Sequence, residues 1–470
     1  MFKDSSETVC SCVVGGAGLA GMGFLFNALK SGTMSEIASG GLIVIDASAQ
    51  PGAGMLGHYR ITANSMGDVF IDCLRDPALR KIFEPLEYSP AYWRIRGQAQ
   101  SAPQLSDVGQ LMMEASRLVL DHIVLHYGAK IWHSTAITEV TSRNDEFYVA
   151  VETEGCVRQV RCQTLVLNLG GRQDSRHLIN SLAQQELALP EAVNIQSADR
   201  LLRMNAVQLR EVFATALSSE GRIVVVGGSH SAFSMLENLA DALEFAGLQA
   251  LTLVHRTPIR LFYESAEHAR AAGYAFDPQL DVCPISGRVN RSGGLRYRAL
   301  DVGREALLNG RVGKTGVRVQ LLQTNGERPG ELESARQALA EASVVVQCSG
   351  YQPRLPTLHY GDGSLITLRE TKGGLDSDPA GCPMDQSGRR LKGLYLFGLG
   401  AGLAADPQLG SEPSFEGRIY GVWQFHHDAS RAVIQAIIAR LRYKALAVEA
   451  PRLPGFAQLE NLSGQSWQLP

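Results

Sequence analysis

The sequence is poor in charge and has no long apolar run. Charged residues make up 19% of its 470 residues, against roughly 25% in a typical chain, and the formal net charge is only -3. A nucleic-acid-binding surface needs a basic excess, so this balance predicts no nucleic-acid partner. No apolar run approaches the roughly 18 residues of a membrane-spanning helix, so no membrane association is expected. Residues 1–8 are polar and acidic, unlike a secretory signal, which favours a cytoplasmic location.

Closely spaced cysteine pairs are also missing. The eight cysteines form no Cys-x-x-Cys or Cys-x4-Cys motif, which argues against a redox-active disulfide of the disulfide-reductase kind. No set of Cys and His has the spacing of zinc ligands. His122 and His126 share one face of a predicted helix, but no acidic third ligand lies beside them, so no metal site is predicted. Cys156 and Cys162 flank a predicted hairpin turn and could meet there.

Glycine, by contrast, is abundant, and it clusters at the ends of predicted strands. The 48 glycines are about one residue in ten, against roughly 7% in an average chain. Continuous aliphatic runs that end in glycine predict buried parallel strands, and a strand, a glycine turn, a helix and a second strand make a βαβ unit. Two such units are predicted, one with strands at 8–14 and 41–46, the other with strands at 222–226 and 251–255.

The rest of the pattern extends these two units. Alternating segments at 134–141, 146–152 and 157–161 predict a small β-meander. Further strands are predicted at 164–168, 343–347 and 393–397, helices at 106–127, 230–246 and 417–442, and an irregular segment at 258–300. The predicted fold is therefore α/β, with two Rossmann-like dinucleotide-binding domains of the glutathione-reductase type, parallel sheets and the meander. Residues 1–200 and 346–470 would form a split first domain and residues 205–345 an inserted second one.

The first glycine turn, Gly16-Ala17-Gly18-Leu19-Ala20-Gly21, has the full G-x-G-x-x-G spacing, follows a strand and opens a helix. Gly16 permits the tight turn, Gly18 lets a pyrophosphate approach the backbone, and Gly21 lets the helix pack on the strand. Asp46, at the end of the next strand, can accept from a ribose 2′-hydroxyl. Its distance from the glycines exceeds the usual spacing of about 20 residues because residues 31–40 are inserted. The motif predicts a dinucleotide site.

The second glycine turn, Gly227-Gly228-Ser229-His230-Ser231-Ala232, takes the same place in the second unit, with Ser229 where the central glycine belongs. The next strand ends not in an acidic residue but in His255 and Arg256. A cation at this position suits the 2′-phosphate of NADPH and disfavours NADH. Two dinucleotide units in one chain predict a flavoprotein, in which the first unit binds FAD and the second delivers hydride from NADPH.

Several stretches of the chain resemble the two-dinucleotide-domain (class B) flavoprotein monooxygenases, and within them the N-hydroxylating branch that acts on lysine, ornithine and related amines. The similar stretches are Met55-Leu56, Phe70 to Pro77, Ile195-Gln196-Ser197-Ala198, Val225 to Ala232, Cys348-Ser349-Gly350-Tyr351 and Leu394 to Asp406, so the resemblance covers most of the chain. It implies an NADPH-dependent enzyme that uses molecular oxygen, through a flavin hydroperoxide, to oxygenate a nitrogen or another heteroatom of a small biosynthetic substrate.

The resemblance also implies which residues contact the cofactors. For FAD these are Gly16, Gly18, Leu19, Ala20, Gly21, Asp46, Ala47, Met55, Leu56, Ile137, Gly170, Gly398, Gly402 and Leu403, and for NADPH they are Gly228, Ser229, His230, Ser231, His255, Arg256, Ser349 and Gly350. Candidate catalytic or substrate-binding groups lie in polar and basic loops: His58, Asn64, Ser65 and Arg296. The glycine pairs at 293–294 and 373–374 mark a candidate substrate loop.

The chain departs from the N-hydroxylating branch at two places. The substrate-binding lysine is missing, with Asp72 or Cys73 near that position, and the asparagine before the C-terminal glycine segment is replaced by Gly400-Ala401. The Phe-x-Gly-x3-His fingerprint of Baeyer–Villiger enzymes is also absent. Ornithine and lysine are therefore not favoured as substrates.

Two other functions stay open on the residues alone. Ser229 and the short basic signal at 255–256 are compatible with an FAD-dependent oxidase or dehydrogenase that acts on a small biosynthetic intermediate without NADPH. A flavin-binding regulatory or scaffold protein is a third, non-enzymatic alternative. In every case the expected partners are small molecules, and the sequence leaves a homo-oligomer open.

Overall fold

The computed structural model describes residues 8–326, 328–371, 374–404, 410–419 and 430–449. Its strands are β1 (Thr8–Gly15), β2 (Leu42–Ile45), β3 (Lys130–Trp132), β4 (Ala136–Arg143), β5 (Glu146–Thr153), β6 (Cys156–Leu167), β7 (Gly171–Arg172), β8 (Asn194–Ser197), β9 (Arg222–Val226), β10 (Ala250–His255), β11 (Arg318–Gln323), β12 (Ala342–Gln347), β13 (Gln352–Pro353), β14 (Thr357–Tyr360), β15 (Glu370–Thr371), β16 (Gly374–Leu375), β17 (Leu394–Leu396), β18 (Leu403–Ala404) and β19 (Arg418–Ile419).

The helices connect these strands and cover the sheets. They are α1 (Leu19–Lys30), α2 (Met34–Ala38), α3 (Gly67–Asp72), α4 (Arg80–Phe83), α5 (Pro90–Arg96), α6 (Leu105–Tyr127), α7 (Ser175–Ala183), α8 (Ala198–Leu201), α9 (Ala206–Ser218), α10 (His230–Leu243), α11 (Ala266–Ala271), α12 (Tyr297–Asn309), α13 (Glu331–Ala340) and α14 (Arg431–Glu449). Short 3-10 helices cover Leu56–His58, Cys73–Arg75, Glu84–Tyr88 and Glu244–Ala246. Within the described ranges, no helix combines the length and the apolar character needed to cross a bilayer.

The first sheet has eight strands and carries the first glycine turn at the carboxyl end of β1. Strands β14, β4, β5, β6, β1, β2 and β3 lie side by side in this order, and β17 pairs with β6. β1 is parallel to β2 and β6, with Gly15 opposite Ile45 on one side and Leu167 on the other. Val14 packs in the core beneath α1 and α6, and Val13 packs in the core on the opposite face. Because both faces are buried, β1 is mostly apolar, and its buried Ser11 hydrogen-bonds to the backbone oxygens of Ile37 and Gly41.

Strand β6 is twelve residues long and changes partner along its length. Its first part is antiparallel to β5, and its last residues are parallel to β17. The predicted strands at 157–161 and 164–168 are therefore one strand, which the prediction divided because Arg161 and Gln163 interrupt the apolar run. Cys156 and Cys162 lie on this same strand, so they do not meet across a turn, and both are free thiols.

The second sheet has five strands, all parallel, and carries the second glycine turn at the carboxyl end of β9. Its order is β11, β10, β9, β12 and β8. Helix α10 follows the turn and buries Phe233, Leu236 and Leu239 against this sheet. β8 begins at Asn194, before the boundary predicted at residue 205. Both predicted βαβ units are present, and the predicted α/β class is confirmed.

Two short segments connect the two sheets. β7 follows β6 and β13 follows β12, and the two are antiparallel, with Gln352 opposite Arg172 and Pro353 opposite Gly171. Gly400 packs on this ladder, since a Cβ there would lie 2.4 Å from the backbone nitrogen of Pro353. The chain therefore enters and leaves the second unit at one place.

The C-terminal region differs from the prediction of a helix over 417–442. Arg418 and Ile419 form β19, antiparallel to Leu403 and Ala404, and residues 431–442 of the prediction belong to α14. Residues 420–429 of the predicted helix lie outside the described residues. Gly417 is a poor helix former, which is consistent with an extended start of this segment. Residues 373, 405 and 406, which belong to stretches named in the sequence predictions, also lie outside the described residues.

Candidate active site

A cavity of about 670 Å3 lies between the two glycine turns. Six residues predicted to contact FAD line it: Gly18, Leu19, Ala20, Met55, Leu56 and Gly170. His230 and Ser231 of the second turn line the same cavity. The fold therefore brings the two predicted dinucleotide sites, which are far apart in sequence, to one common space.

The first turn has the backbone geometry that a pyrophosphate site requires. Gly16 has a φ of 87°, and a Cβ on it would lie 2.3 Å from the carbonyl oxygen of Asn168, so only glycine fits. A Cβ on Gly21 would lie 1.9 Å from the carbonyl oxygen of Gly16, so α1 packs directly on the turn. Gly18 differs, because its φ is -74° and a Cβ there would lie 3.5 Å from the Cα of Gly54. The bare backbone at Gly18 leaves the start of α1 open to the cavity, which fits a phosphate of FAD.

Asp46 lies at the end of β2 with its carboxylate beside the first turn. Its Oδ2 accepts the backbone N–H of Ala17 at 2.6 Å, and its Oδ1 accepts that of Ser48 at 2.7 Å. Each oxygen has a second lone pair that can accept from a ribose hydroxyl. The inserted residues 31–40 contain α2 and fold ahead of β2, so the long spacing does not displace Asp46 from the turn.

Five more residues predicted to contact FAD lie outside the lining of the cavity, and two of them pack close to the first turn. A Cβ on Gly398, whose φ is 98°, would lie 2.9 Å from the Cβ of Ala20, so the end of β17 closely approaches the start of α1. The side chain of Ile137 packs on Gly15 at the end of β1. Ala47, Ile137, Gly398, Gly402 and Leu403 do not themselves line the cavity.

The second turn is equally constrained. Gly227 has a φ of 144°, and a Cβ there would lie 2.4 Å from the carbonyl oxygen of Cys348. Ser229 precedes α10, is exposed and makes no capping hydrogen bond, so its hydroxyl is free for a phosphate. The Nε2 of His230 accepts the backbone N–H of Arg296 at 3.0 Å. Burial and the nearby Arg296 guanidinium lower the pKa of His230 to about 4, so this imidazole is neutral.

The two residues predicted to meet the 2′-phosphate differ in their environments. His255 is buried beneath the second turn, and its Nδ1 lies 2.9 Å from the carbonyl oxygen of Thr257. Burial lowers the pKa of His255, which keeps it neutral. Arg256, in contrast, is exposed directly after β10. Of this pair, Arg256 is the cation available to a phosphate.

Three of the four catalytic candidates line the cavity: Asn64, Ser65 and Arg296. The guanidinium of Arg296 donates to the carbonyl oxygen of Arg291 and lies 4.3 Å from the ring centre of Phe262. His58 is exposed and does not line the cavity. Ser349 and Gly350 also lie outside its lining, although the residue that follows them, Tyr351, is part of it.

A polar cluster in the cavity wall was not predicted from the sequence. Tyr59 donates its hydroxyl to Oδ1 of Asp199 at 2.5 Å, and the Tyr351 hydroxyl lies 3.4 Å from the same oxygen. Arg203 donates to the other oxygen, Oδ2, at 2.9 Å. Burial raises the pKa of Tyr59 to about 12 and raises that of Tyr351 as well. These residues come from three distant stretches of chain, so no local motif could have indicated the cluster.

No model of a protein family matches the chain. A similar protein of known activity, however, aligns with nearly its whole length. The chain is 31% identical over 434 residues to a CMP-5'-(3-aminopropyl)phosphonate hydroxylase of Streptomyces rubellomurinus, an alignment that covers 92% of this chain and 98% of that protein. The solved structure of an ornithine N-hydroxylase from Kutzneria sp. 744 matches 93% of this chain and 100% of its own, with a TM-score of 0.52 at 14% identity. An FAD-bound cadaverine monooxygenase from Erwinia amylovora matches 93% of this chain and 95% of its own, with a TM-score of 0.53 at 13% identity.

Two glycine turns that face one cavity, on two linked Rossmann-like sheets, define a flavin enzyme with a second dinucleotide site. The similarities are in agreement with this architecture: the chain belongs to the two-dinucleotide-domain (class B) flavoprotein monooxygenases. It is a flavin-dependent oxidoreductase of the hydroxylating kind, and FAD and NADPH, the predicted cofactors, are those of this family.

Proposed function

We propose that the chain is an NADPH-dependent monooxygenase that holds FAD and hydroxylates the nitrogen of a small primary amine. One observation carries this proposal: both glycine turns, through Gly18 and His230, line the same cavity. A reduced nicotinamide held by the second turn would thus share a space with a flavin held by the first. When bound, FAD takes up hydride from NADPH and passes one atom of molecular oxygen to the substrate.

The choice of nitrogen rests on what the similar proteins act on. The relative from Streptomyces rubellomurinus is named for a substrate with a 3-aminopropyl group, and the structural neighbours are named for ornithine and cadaverine. An amine is common to all three. The missing lysine supports a substrate other than ornithine. Asp72, which lies near the expected position of that lysine, is exposed, and its Oδ1 lies 3.5 Å from Nη1 of Arg75. Asp72 does not line the cavity, whereas Phe70 does.

In this proposal the protein's own residues bind and orient the cofactors. The first turn and Asp46 would hold the pyrophosphate and the ribose of FAD, and Ser229 and Arg256 would hold the phosphates of NADPH. The apolar part of the wall, which includes Leu56 and Phe70, would exclude water from the reacting groups. We assign the FAD domain to the first sheet and the NADPH domain to the second, with the latter starting near β8.

Spectroscopy of the purified protein tests this function directly. We expect a yellow protein whose flavin absorption is bleached by NADPH, and more slowly by NADH, under anaerobic conditions. On addition of oxygen and CMP-5'-(3-aminopropyl)phosphonate, we expect a hydroxylamine that carries one oxygen atom from labelled O2. Bleaching by an added substrate but not by NADPH would instead support the FAD oxidase or dehydrogenase, and a colourless protein that binds no added FAD would reject both functions.

A further inference from the structure

One wall of the cavity has a group that neither cofactor site uses. Of the described residues that line the cavity, Asp199 alone is acidic, whereas Arg203, Arg296 and Arg354 are basic. Asp199 belongs to α8 in the second unit, and its side chain is 19% exposed to solvent. A partly exposed carboxylate that faces a cavity is a natural partner for a cationic ligand.

The surroundings of Asp199 fix the carboxylate in one orientation. Its backbone N–H donates to Oε1 of Gln173 at 2.8 Å. Arg203 donates twice to this residue, through Nε to the backbone oxygen at 2.8 Å and through Nη2 to Oδ2 at 2.9 Å. Arg203 therefore occupies the Oδ2 side and leaves Oδ1 to the two tyrosines.

The two tyrosines turn this oxygen into a larger acceptor site. Tyr59 donates its hydroxyl hydrogen to Oδ1 of Asp199 at 2.5 Å. The Tyr351 hydroxyl lies 3.4 Å from the same oxygen and also hydrogen-bonds the Tyr59 hydroxyl. Because both hydrogens are used within the cluster, at least one lone pair of each phenolic oxygen remains as an acceptor. Three acceptor groups thus converge on one corner of the cavity, and an alkylammonium has three N–H donors to satisfy.

We propose that Asp199, Tyr59 and Tyr351 form the site that binds the ammonium end of the substrate and so selects a primary amine. This inference rests on the proposed function, since it names the residues that recognise the proposed amine. The three acceptors place the nitrogen at the junction of the two units, in the cavity that both turns share. Asp199 supplies a carboxylate whose Oδ1 side is not occupied by Arg203, and the tyrosines supply two further acceptors and direction.

The substitution Asp199→Asn tests the site with little change of shape, because the amide is isosteric with the carboxylate and keeps one acceptor oxygen. With CMP-5'-(3-aminopropyl)phosphonate as the probe, we expect KM for the amine to rise about ten- to a hundredfold, the range of a lost charge-assisted hydrogen bond. KM for NADPH and the anaerobic rate of flavin reduction should stay within about twofold of wild type. Asp121→Asn, an exposed residue of α6 outside the cavity lining, is the matched control.

An analogue in which a hydroxyl replaces the amine separates charge recognition from general damage. Wild type should bind the amine more tightly than the hydroxyl analogue in calorimetry, and Asp199→Asn should abolish this preference while leaving the affinity for the hydroxyl analogue within about twofold. Tyr351→Phe removes only the longer of the two tyrosine contacts with Asp199 and should raise KM for the amine about three- to tenfold. It provides a second test of the site if Asp199→Asn does not fold.

The outcomes separate this inference from the proposed function. Hydroxylation by wild type, with KM and the amine preference unchanged in Asp199→Asn and Tyr351→Phe, would overturn the ammonium site alone. Absence of any hydroxylamine product from wild type that is reduced by NADPH would overturn the proposed function and the ammonium site with it.

Discussion

His230 shows, at the scale of a single residue, how one contact sets the charge of the cavity wall. Its Nε2 accepts the backbone N–H of Arg296, so the proton of the neutral ring must be on Nδ1. Protonation would cost this hydrogen bond and would place a second cation beside Arg296. The pKa near 4 follows from burial first and from that guanidinium second. The residue at the start of α10 thus adds no positive charge at neutral pH.

The lowered pKa of His230 predicts a specific acid sensitivity. Between about pH 6.5 and 4 the unfolded chain binds a proton at this residue that the folded chain excludes, so the free energy of unfolding falls as the pH falls through this range. A pKa difference of one corresponds to about 1.4 kcal/mol, so the fall of the pKa from 6.5 to about 4 makes the loss on the order of 3 kcal/mol. His230→Gln, which keeps an acceptor for Arg296, should make urea unfolding less dependent on pH in this range. The exposed His268→Gln is the control, and equal pH dependence of both variants would contradict the assignment.

Two glycines of the first turn should separate folding from cofactor binding. Gly18→Ala has an allowed φ and a Cβ at ordinary contact distance, so we expect unfolding free energy within about 1 kcal/mol of wild type. The methyl group would enter the phosphate cradle, and the dissociation constant for FAD should rise at least about tenfold by fluorescence titration. Gly16→Ala should instead lose several kcal/mol of stability, on the order of 3 kcal/mol, because its Cβ would overlap a backbone carbonyl. Retention of normal FAD affinity by Gly18→Ala would show that the phosphate lies elsewhere.

At the scale of elements, the segment 410–415 packs against the loop 291–296, which leads into α12, and hydrogen-bonds to it. The buried carboxylate of Glu412 accepts the backbone N–H groups of Ser292 and Gly293, both at 2.8 Å. Arg291, at the start of this loop, donates to the carbonyl oxygen of Gly410 at 2.8 Å. A Cβ on Gly293 would lie 3.3 Å from this carboxylate. The glycine pair at 293–294, predicted as a substrate loop, thus lies against the segment 410–415 and does not line the cavity. Arg296, two residues further on, does line it.

Glu412 should therefore be important for stability without touching a ligand. Glu412→Ala would leave two partly buried backbone N–H groups without their acceptor, and we expect the free energy of unfolding to fall by about 1 to 3 kcal/mol in urea titrations. Glu412→Gln retains one acceptor oxygen and should lose roughly half as much. A loss no larger for Ala than for Gln would show that these hydrogen bonds do not stabilise the fold.

At the scale of the whole molecule, the cavity is a junction that neither sheet forms alone. The first unit contributes Gly18 and Leu56, and the second contributes Asp199 and His230. The only covalent links among the described residues that join the two sheets directly are the stretches around β7 and β13, which pair with each other. Ligands that fill the junction therefore stabilise the arrangement of both units together.

Removal and return of FAD should change the stability of the whole chain. We expect the flavin-free protein to unfold at a lower temperature and FAD at one hundred times its dissociation constant to restore about 2.7 kcal/mol. Riboflavin, which lacks the pyrophosphate and the adenosine, should stabilise little because it cannot engage the first turn. Equal stabilisation by FAD and riboflavin, measured by differential scanning calorimetry, would contradict the role of that turn.

The sequence was sufficient wherever local chemistry determines structure. Gly16 to Gly21 and the strands on both sides of each turn were predictable, because a turn with these steric demands accepts few sequences. The single strand β6 and the extended start of the segment at 417 were not, since partners distant in sequence decide both. The cluster around Asp199 was missed for the same reason, as Tyr59 and Tyr351 reach it only through the packing of the two units.

The antiparallel pairing of β7 and β13 also means that the second unit could be exchanged as a whole. Because the chain leaves and re-enters the first unit within one antiparallel pair, the ends of residues 173–351 are neighbours in space, as in a domain inserted into a surface loop. A nicotinamide-binding unit from another protein with similarly adjacent ends could be transplanted between these two strands without rerouting the host chain. The transplanted unit would have to contain a loop that can bind Glu412 and an acceptor in the place of Asp199 that can bind Tyr59. A chimaera that lacks either contact is expected to assemble poorly.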